Sequence, residues 1–177
     1  MFSSQPTDAA AKLLLKDSSP VASSIRPLRQ MRESADLRKR RDELEPLIRQ
    51  VAARHGLDPA LIQAIAHVES RFNTNAVSPA GAAGIMQLMP GTAKRYGTIN
   101  RHDPAQNLDG GARYFKDLLS QYAGNIALAL AAYNSGEGSV ARHAQRVPPF
   151  RETMLYVPEV LTRYESYRQS DALIQDK

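Results

Sequence analysis

The sequence lacks cysteine and tryptophan altogether, and no stretch of it is apolar for long enough to cross a membrane. The lack of cysteine excludes disulfide bonds and cysteine-based metal sites. The four histidines are scattered singly along the chain, so the pattern does not predict a zinc cluster either. We therefore expect neither a metal nor another cofactor.

The amino terminus also lacks the long apolar core of a secretory signal peptide. The short apolar run from Leu13 to Leu15 lies between Lys12 and Lys16. We expect that a signal was removed, that the protein leaves the cell by another route, or that it works where it is made. The residues leave these three possibilities open.

Aromatic residues make up only 6% of the chain, and runs of β-branched residues are scarce beside alanine, leucine, glutamine and arginine. This composition is typical of an all-α protein. A length of 177 residues is enough for one domain with a substantial core. The net charge of +5 favours an anionic partner, such as a nucleic acid, a membrane surface or an acidic wall polymer.

Three regions of the chain differ in composition. Residues 1–45 are rich in serine, proline, aspartate and arginine, which predicts a poorly ordered or partly helical N-terminal arm or linker. Residues 46–168 carry amphipathic patterns and are predicted to form the globular helical domain, and residues 169–177 a C-terminal tail. The basic run at 38–41 is followed by acidic residues, which favours a solvated helix face over a nucleic-acid site.

Capping residues indicate where several helices begin and end. Asp58 and Asp103 are each followed by proline, which is a helix start signal, and Gly56 is a stop signal. The predicted helices cover residues 44–55, 58–72, 90–96, 103–122, 126–133 and 151–167.

Glu69 is the candidate catalytic residue, because it lies at the edge of the apolar stripe of the second predicted helix. No lysine or arginine stands three or four residues away to stabilise its charge. Partial burial beside Ile62 and Ala66, near the negative end of the helix, should raise its pKa. A raised pKa suits a general acid near neutral pH. The simpler interpretation is a polar residue on the rim of a core helix.

Several short motifs follow one another in a fixed order. They are Glu69-Ser70, Gly81-x-x-Gly84-x-Met86-Gln87-Leu88-Met89-Pro90, Asn107 to Tyr114, Ala131-Ala132-Tyr133-Asn134-Ser135-Gly136, Glu152-Thr153 and Tyr156-Val157. In this order the motifs resemble the lytic transglycosylase domain of the soluble murein transglycosylase type, a relative of goose-type lysozyme in glycoside hydrolase family 23. The resemblance extends over about residues 47–167 and implies a lysozyme-like helical domain with a catalytic groove.

The resemblance also implies roles for individual residues. It makes Glu69 the catalytic residue. The residues that it assigns to substrate binding are Ser70, Ser78, Gly84, Met86, Gln87, Tyr133, Asn134, Glu152 and Tyr156.

Each assignment has a simpler structural alternative. Gly81 and Gly84 would let the backbone approach a sugar, or would only form a tight turn. The amide of Gln87 would bond an N-acetyl group or hydroxyl, or would face solvent. Asn134 would brace the groove, or only cap its helix.

Glu152 and Tyr156 lie one turn apart, so both side chains could point into one cleft. The simpler alternative is that Glu152 is an acid that stabilises the start of its helix and that Tyr156 is a core residue. Methionines such as Met86 and Met89 more often fill gaps in the core than contact a ligand, and Met89 is predicted to be a core residue.

No acidic residue occurs between Glu69 and Asp103, so the second carboxylate of an ordinary glycosidase is absent nearby. The resemblance implies that the N-acetyl group of the substrate is the nucleophile and that a 1,6-anhydro ring forms without water. The alternatives are a hydrolytic muramidase in which Glu152 positions water, and a peptidoglycan-binding protein without turnover. A nucleic-acid-binding protein is the alternative with the least support.

The expected partner is the glycan strand of peptidoglycan, acted on by a monomer in the periplasm or cell envelope. The family also includes lytic factors of secretion, conjugation and phage machinery, which the arm could contact. We expect no nucleic acid and no transmembrane segment.

Overall fold

The computed structural model describes residues 34–175. Within this range all regular structure is helical, which confirms the predicted all-α class. The helices are α1 (Ala35–His55), α2 (Pro59–Ser70), α3 (Pro90–Arg95), α4 (Pro104–Gln121), α5 (Ile126–Ser135), α6 (Glu137–Arg142) and α7 (Arg151–Gln175). No helix in this range is long and apolar enough to span a membrane.

Helix α2 lies at the centre of the domain, and its residues 60–67 are all buried. It packs against α1 on one side and α7 on the other, while α4 and α5 complete the core. Asp58 caps it as predicted, since its side chain accepts a hydrogen bond from the backbone N–H of Ala60. The helix ends at Ser70 because Arg71 and Phe72 adopt left-handed backbone conformations. Glu69 is therefore held in the last turn of the most buried helix.

Helix α1 begins earlier than the sequence predicts. It starts after Ser34, whose side chain accepts a hydrogen bond from the N–H of Leu37, and it runs without interruption past residue 45. Leu37 and Leu44 are buried in the core, so residues from 35 onward pack with the helical domain. The rest of the predicted arm lies outside the described residues.

Helix α7 extends beyond the predicted end at residue 167. It continues to Gln175, through most of the predicted tail. The hydroxyl of Tyr167, at the predicted end, forms a 2.6 Å hydrogen bond with Nδ1 of His67 on α2. Within the extension, Oδ1 of Asp171 accepts a 2.9 Å hydrogen bond from Nη2 of Arg49, which fixes this part of α7 to α1.

Candidate active site

Glu69 is half-buried, and its carboxyl group contacts α7. The hydroxyl of Tyr156 donates a hydrogen bond of 2.7 Å to its Oε1 atom. Burial raises the pKa of Glu69 to about 7, the hydrogen bond from Tyr156 opposes this rise, and the negative charge of Glu152 adds to it. The predicted direction of the shift is confirmed. Glu69 can therefore exchange a proton at neutral pH.

Glu152 and Tyr156, one turn apart on α7, both act on Glu69, the first through its charge and the second through its hydrogen bond. The side-chain amide of Asn134 donates to Oε1 of Glu152 at 3.3 Å, and the hydroxyl of Thr153 donates to Oδ1 of Asn134 at 2.8 Å. These bonds join the end of α5 to the start of α7. They hold the carboxylate of Glu152 where its charge acts on Glu69.

A cavity of about 350 Å³ begins at Asn134, and Glu69, Glu152 and Tyr156 lie outside its lining. It is lined by Gln87, Leu88, Met89, Thr92, Tyr114, Tyr133, Asn134, Ser135 and Gly136. The rings of Tyr133 and Tyr114 are 5.1 Å apart, and the ring of Tyr96 lies 5.5 Å beyond Tyr114. Burial and then the charge of Glu69 raise the pKa of Tyr133, so the row of rings begins next to the acid. Aromatic faces beside amide and hydroxyl groups suit a saccharide, which has both apolar and polar surfaces.

The loop between α2 and α3 is organised by one buried side chain, that of Asn107. Its Oδ1 accepts from the N–H of Met86 at 2.7 Å, and its Nδ2 donates to the carbonyls of Ala83 at 3.0 Å and Arg101 at 2.8 Å. The residue is fully buried at the first turn of α4. Sequence reasoning missed this role, because the residue looked like an ordinary helix-start polar residue. The sequence signal that could have indicated this role is that Asn107 begins the motif 107–114, one of the motifs that carry the family resemblance.

The packing of this loop requires glycine at position 84. Gly84 has a φ of +82°, and an added Cβ would meet the Arg101 carbonyl and the side chain of Asn107 inside the protein. Gly81 has a φ of +88° with open space around it, which fits a tight turn and a sugar contact equally. That these glycines let the backbone approach a sugar stays a prediction.

Three other predicted substrate-binding residues bond to the loop backbone. The hydroxyl of Ser70 donates to the carbonyl of Ile85 at 2.7 Å, and that of Ser78 accepts from the N–H of Ala82 at 3.0 Å. The amide nitrogen of Gln87 donates to the carbonyls of Gly84 at 2.9 Å and Ala76 at 3.2 Å. Only the amide oxygen of Gln87 remains to face the cavity. These side chains chiefly hold the loop in place.

The two methionines of the loop have the reverse of their predicted positions. The side chain of Met86 is fully buried, so its assignment to substrate contact is corrected. Its backbone carbonyl instead accepts a 2.8 Å hydrogen bond from the hydroxyl of Tyr133. Met89 is 44% exposed and lines the cavity, so the prediction that it belongs to the core is wrong.

Among residues 34–175 no group of three or more histidine, aspartate or glutamate side chains is placed to hold a metal ion. What the site offers is proton exchange at Glu69 beside a cavity with aromatic and amide walls. Such a site can protonate a leaving oxygen and later accept a proton from the same ligand.

Replacing Glu69 with glutamine should stabilise the protein more at pH 8 than at pH 5. The pKa of Glu69 is raised from 4.5 to about 7 on folding, so the folded state loses stability as the pH rises between these values. Since the carboxyl is partly exposed, we expect a stability gain on the order of 2 kcal/mol at pH 8 and almost none at pH 5. Thermal unfolding at both pH values measures the difference. A gain that is equal at the two pH values would contradict a buried, weakly acidic carboxyl.

Comparison with known proteins places these features in a family. Residues 46–153 match the transglycosylase SLT domain. A transglycosylase of Enterobacteria phage PRD1 is 44% identical over 85 residues, which is 48% of this chain and 32% of that protein. Membrane-bound lytic murein transglycosylase C of Haemophilus influenzae strain PittGG is 40% identical over 115 residues, covering 55% of this chain and 32% of its own length.

Solved structures agree with the sequence comparison. The lytic transglycosylase Slt of Pseudomonas aeruginosa, determined as an inactive mutant, superposes with a TM-score of 0.65 at 34% identity, covering 71% of this chain and 24% of that one. The 70-kDa soluble lytic transglycosylase of Escherichia coli gives a TM-score of 0.62 at 30% identity, covering 70% and 24% of the two chains. The chain spans about a third of the length of the curated relatives it matches. It belongs to the transglycosylase SLT domain family.

Proposed function

We propose that this chain is a peptidoglycan lytic transglycosylase. It cleaves the β-1,4 bond between N-acetylmuramic acid and N-acetylglucosamine without water and leaves 1,6-anhydro-N-acetylmuramic acid ends. The observation that supports this most strongly is the half-buried carboxyl of Glu69, whose pKa of about 7 allows both protonation states near neutral pH. The family match and the relatives named lytic murein transglycosylases support the same reaction.

In the first step, protonated Glu69 donates its proton to the glycosidic oxygen while the bond from that oxygen to the anomeric carbon breaks. The N-acetyl oxygen of the same muramic acid attacks the anomeric carbon, giving a cyclic oxazolinium intermediate and a free N-acetylglucosamine hydroxyl. No second carboxylate is needed as nucleophile. Tyr156, which bonds Oε1 of Glu69, supports the resulting carboxylate as its proton leaves.

In the second step, the carboxylate of Glu69 removes the proton from the C6 hydroxyl of the muramic acid. The C6 oxygen attacks the anomeric carbon, the bond to the acetamido oxygen breaks, and the 1,6-anhydro ring closes. Glu69 is again protonated at the end of this step. One residue thus serves as acid and then as base, for which a pKa near the working pH is best.

Glu152 and the aromatic row have supporting roles in this proposal. The bond from Asn134 fixes Glu152, whose negative charge keeps the pKa of Glu69 high. Tyr133 and Tyr114 form the surface against which the sugar rings lie. The remaining substrate-binding assignments, to Ser70, Ser78 and Gln87, act mainly through the shape of the loop.

Mass spectrometry of digested peptidoglycan tests the reaction. We expect soluble muropeptides that are lighter by one water molecule than their hydrolytic counterparts and that resist borohydride reduction. Reducing ends would instead show a muramidase, with Glu152 positioning water. Tight binding to peptidoglycan without any release would show a binding protein.

Two substitutions should move the alkaline limb of the pH profile of kcat/KM in opposite directions. Tyr156→Phe removes a hydrogen bond that lowers the pKa of Glu69, so the limb should move upward. Glu152→Gln removes a negative charge that raises this pKa, so the limb should move downward by roughly half a pH unit. Rates of muropeptide release between pH 5 and 9 give the two profiles. Shifts in the same direction would contradict the electrostatic roles given to these residues.

We also propose that the protein works as a monomer in the cell envelope, which in cells that have a periplasm means the periplasm. The relatives named membrane-bound murein transglycosylases support an envelope location, and the transglycosylase of phage PRD1 supports a specialised lytic factor of phage machinery. Fractionation of cells expressing the native gene tests the location, and a purely cytosolic protein would contradict it. Pull-down with only residues 1–33 deleted, which leaves α1 intact, tests whether this segment recruits such machinery.

A further inference from the structure

Two short helices, α3 and α6, lie next to the cavity. The end of the loop and α3 contribute Met89 and Thr92 to its lining, and the end of α5 contributes residues 134–136. Helix α6 follows directly after Gly136. Nη1 of Arg95, at the end of α3, donates a 3.2 Å hydrogen bond to Oε1 of Glu137, at the start of α6. This ion pair therefore connects the two walls just beyond their lining residues, without lining the cavity itself.

The position of this pair along the cavity follows from the aromatic row. The ring of Tyr114 is 5.1 Å from that of Tyr133 and 5.5 Å from that of Tyr96. The guanidinium of Arg95 lies 5.3 Å from the centre of the Tyr96 ring, whereas the charge of Glu69 acts on Tyr133. Glu69 is therefore at the Tyr133 end, and the ion pair is at the Tyr114 end.

The pair is exposed enough to open. The side chain of Arg95 is 58% exposed and that of Glu137 is 35% exposed. The guanidinium also lies 5.3 Å from the centre of the Tyr96 ring, which holds it at this end of the cavity. Ion pairs this exposed shift an equilibrium only by about two- to fivefold, and salt weakens them. A ligand or a change in ionic strength can therefore displace the pair.

We propose that the Arg95–Glu137 pair is a latch that closes the Tyr114 end of the cavity to a continuing glycan strand. This inference rests on the proposed function. A long strand that runs past Tyr114 must pass between the two walls that the latch connects. With the latch closed, the site accepts strand ends in preference to internal positions. Opening it allows cuts within long strands.

The lengths of the products released from long-stranded peptidoglycan test the latch. Glu137→Gln and Arg95→Gln should raise the ratio of internal to terminal cuts by about two- to fivefold. High salt should raise this ratio in the unmodified protein and leave it nearly unchanged in the variants. The double substitution Arg95→Glu with Glu137→Arg restores opposite charges and should bring the ratio back toward its original value.

The control is Glu43→Gln, which removes the exposed Lys39–Glu43 pair on α1, a helix that contributes no residue to the cavity lining. It should leave the ratio unchanged. Equal product lengths for the parent and both latch variants would overturn the inference. So would a slower reaction whose product lengths do not change, because this would indicate a structural role only.

A binding measurement separates the latch from the reaction. In the Glu69→Gln protein, N-acetylglucosamine oligomers of six units should bind hardly more tightly than those of three units while the latch is intact. Adding Glu137→Gln should increase the affinity for the six-unit oligomer about two- to fivefold and leave the three-unit affinity unchanged. The same dependence on length in both proteins would overturn the latch. If the affinity depends on oligomer length as expected but no anhydro product is ever released, the proposed reaction is wrong and the latch is supported.

Discussion

Glu69→Gln should reduce the release of soluble muropeptides by about a thousandfold, the typical contribution of a general acid and base. The amide has nearly the shape of the carboxyl and can still accept the hydrogen bond from Tyr156. It cannot donate a proton to the glycosidic oxygen or remove one from the C6 hydroxyl. Since one residue performs both transfers, both steps fail together. The initial rate of release from purified sacculi measures the loss.

Two controls show whether this loss is chemical. Glu165→Gln, an exposed position on the same helix as Tyr156, should leave the rate unchanged. The Glu69→Gln protein should also remain folded and bind glycan oligomers with near-normal affinity. A Glu69→Gln protein that stays as lytic as the parent would refute the mechanism. A protein that loses binding along with activity would place Glu69 in substrate affinity and not in proton transfer.

The environment of Glu69 was predictable because it depends on local sequence. Apolar residues run along α2, and no lysine or arginine stands three or four residues from the acid. The caps at Asp58 and Asp103 were predictable for the same reason, and both bond as expected. Tyr156 was assigned to the same cleft, but its bond to Glu69 joins residues far apart in the chain. Local sequence patterns do not predict contacts between residues so far apart in the chain.

The loop between α2 and α3 resisted prediction because it follows no regular period. Gln87 has a φ of 48°, so the side chains on either side of it turn in directions that neither a helix nor a strand would give. Met86 consequently points into the core, although the resemblance assigned it to substrate binding, and Met89 points to the cavity, although it was predicted to be core. Asn107 holds the whole loop from another helix, a relation that sequence spacing does not reveal.

The outer helices were underestimated for a different reason. The N-terminal half of α1 presents only Leu37 and Leu44 to the core, among many charged residues, so its apolar stripe is sparse. The last part of α7 likewise carries few buried residues, yet its Tyr167 bonds to His67 of α2. The start of α1 and the end of α7 are helical because of tertiary contacts, and the polar composition of these segments does not indicate such contacts.

Gly84→Ala should have the largest effect on stability, and Gly81→Ala is its matched control. Both glycines have φ values near +85°, so alanine introduces a similar backbone strain at each, about 1 kcal/mol. At Gly84 the new Cβ also overlaps the Arg101 carbonyl and the side chain of Asn107, whose Cγ would lie 2.8 Å away. Displacing Asn107 breaks its bonds to Met86 and Ala83 and leaves buried groups unsatisfied.

We therefore expect Gly84→Ala to lower the free energy of unfolding by about 4 kcal/mol and Gly81→Ala by about 1 kcal/mol. Denaturant unfolding followed by far-ultraviolet circular dichroism measures both values. The Gly84 variant should also lose activity at temperatures where it is still folded, because the Met86 carbonyl that holds the Tyr133 hydroxyl moves with the loop. Equal losses of stability at the two glycines would mean that backbone strain alone explains them. The loop would then not depend on the close contact with Asn107, and the support that it gives to the cavity would have to come from another part of the fold.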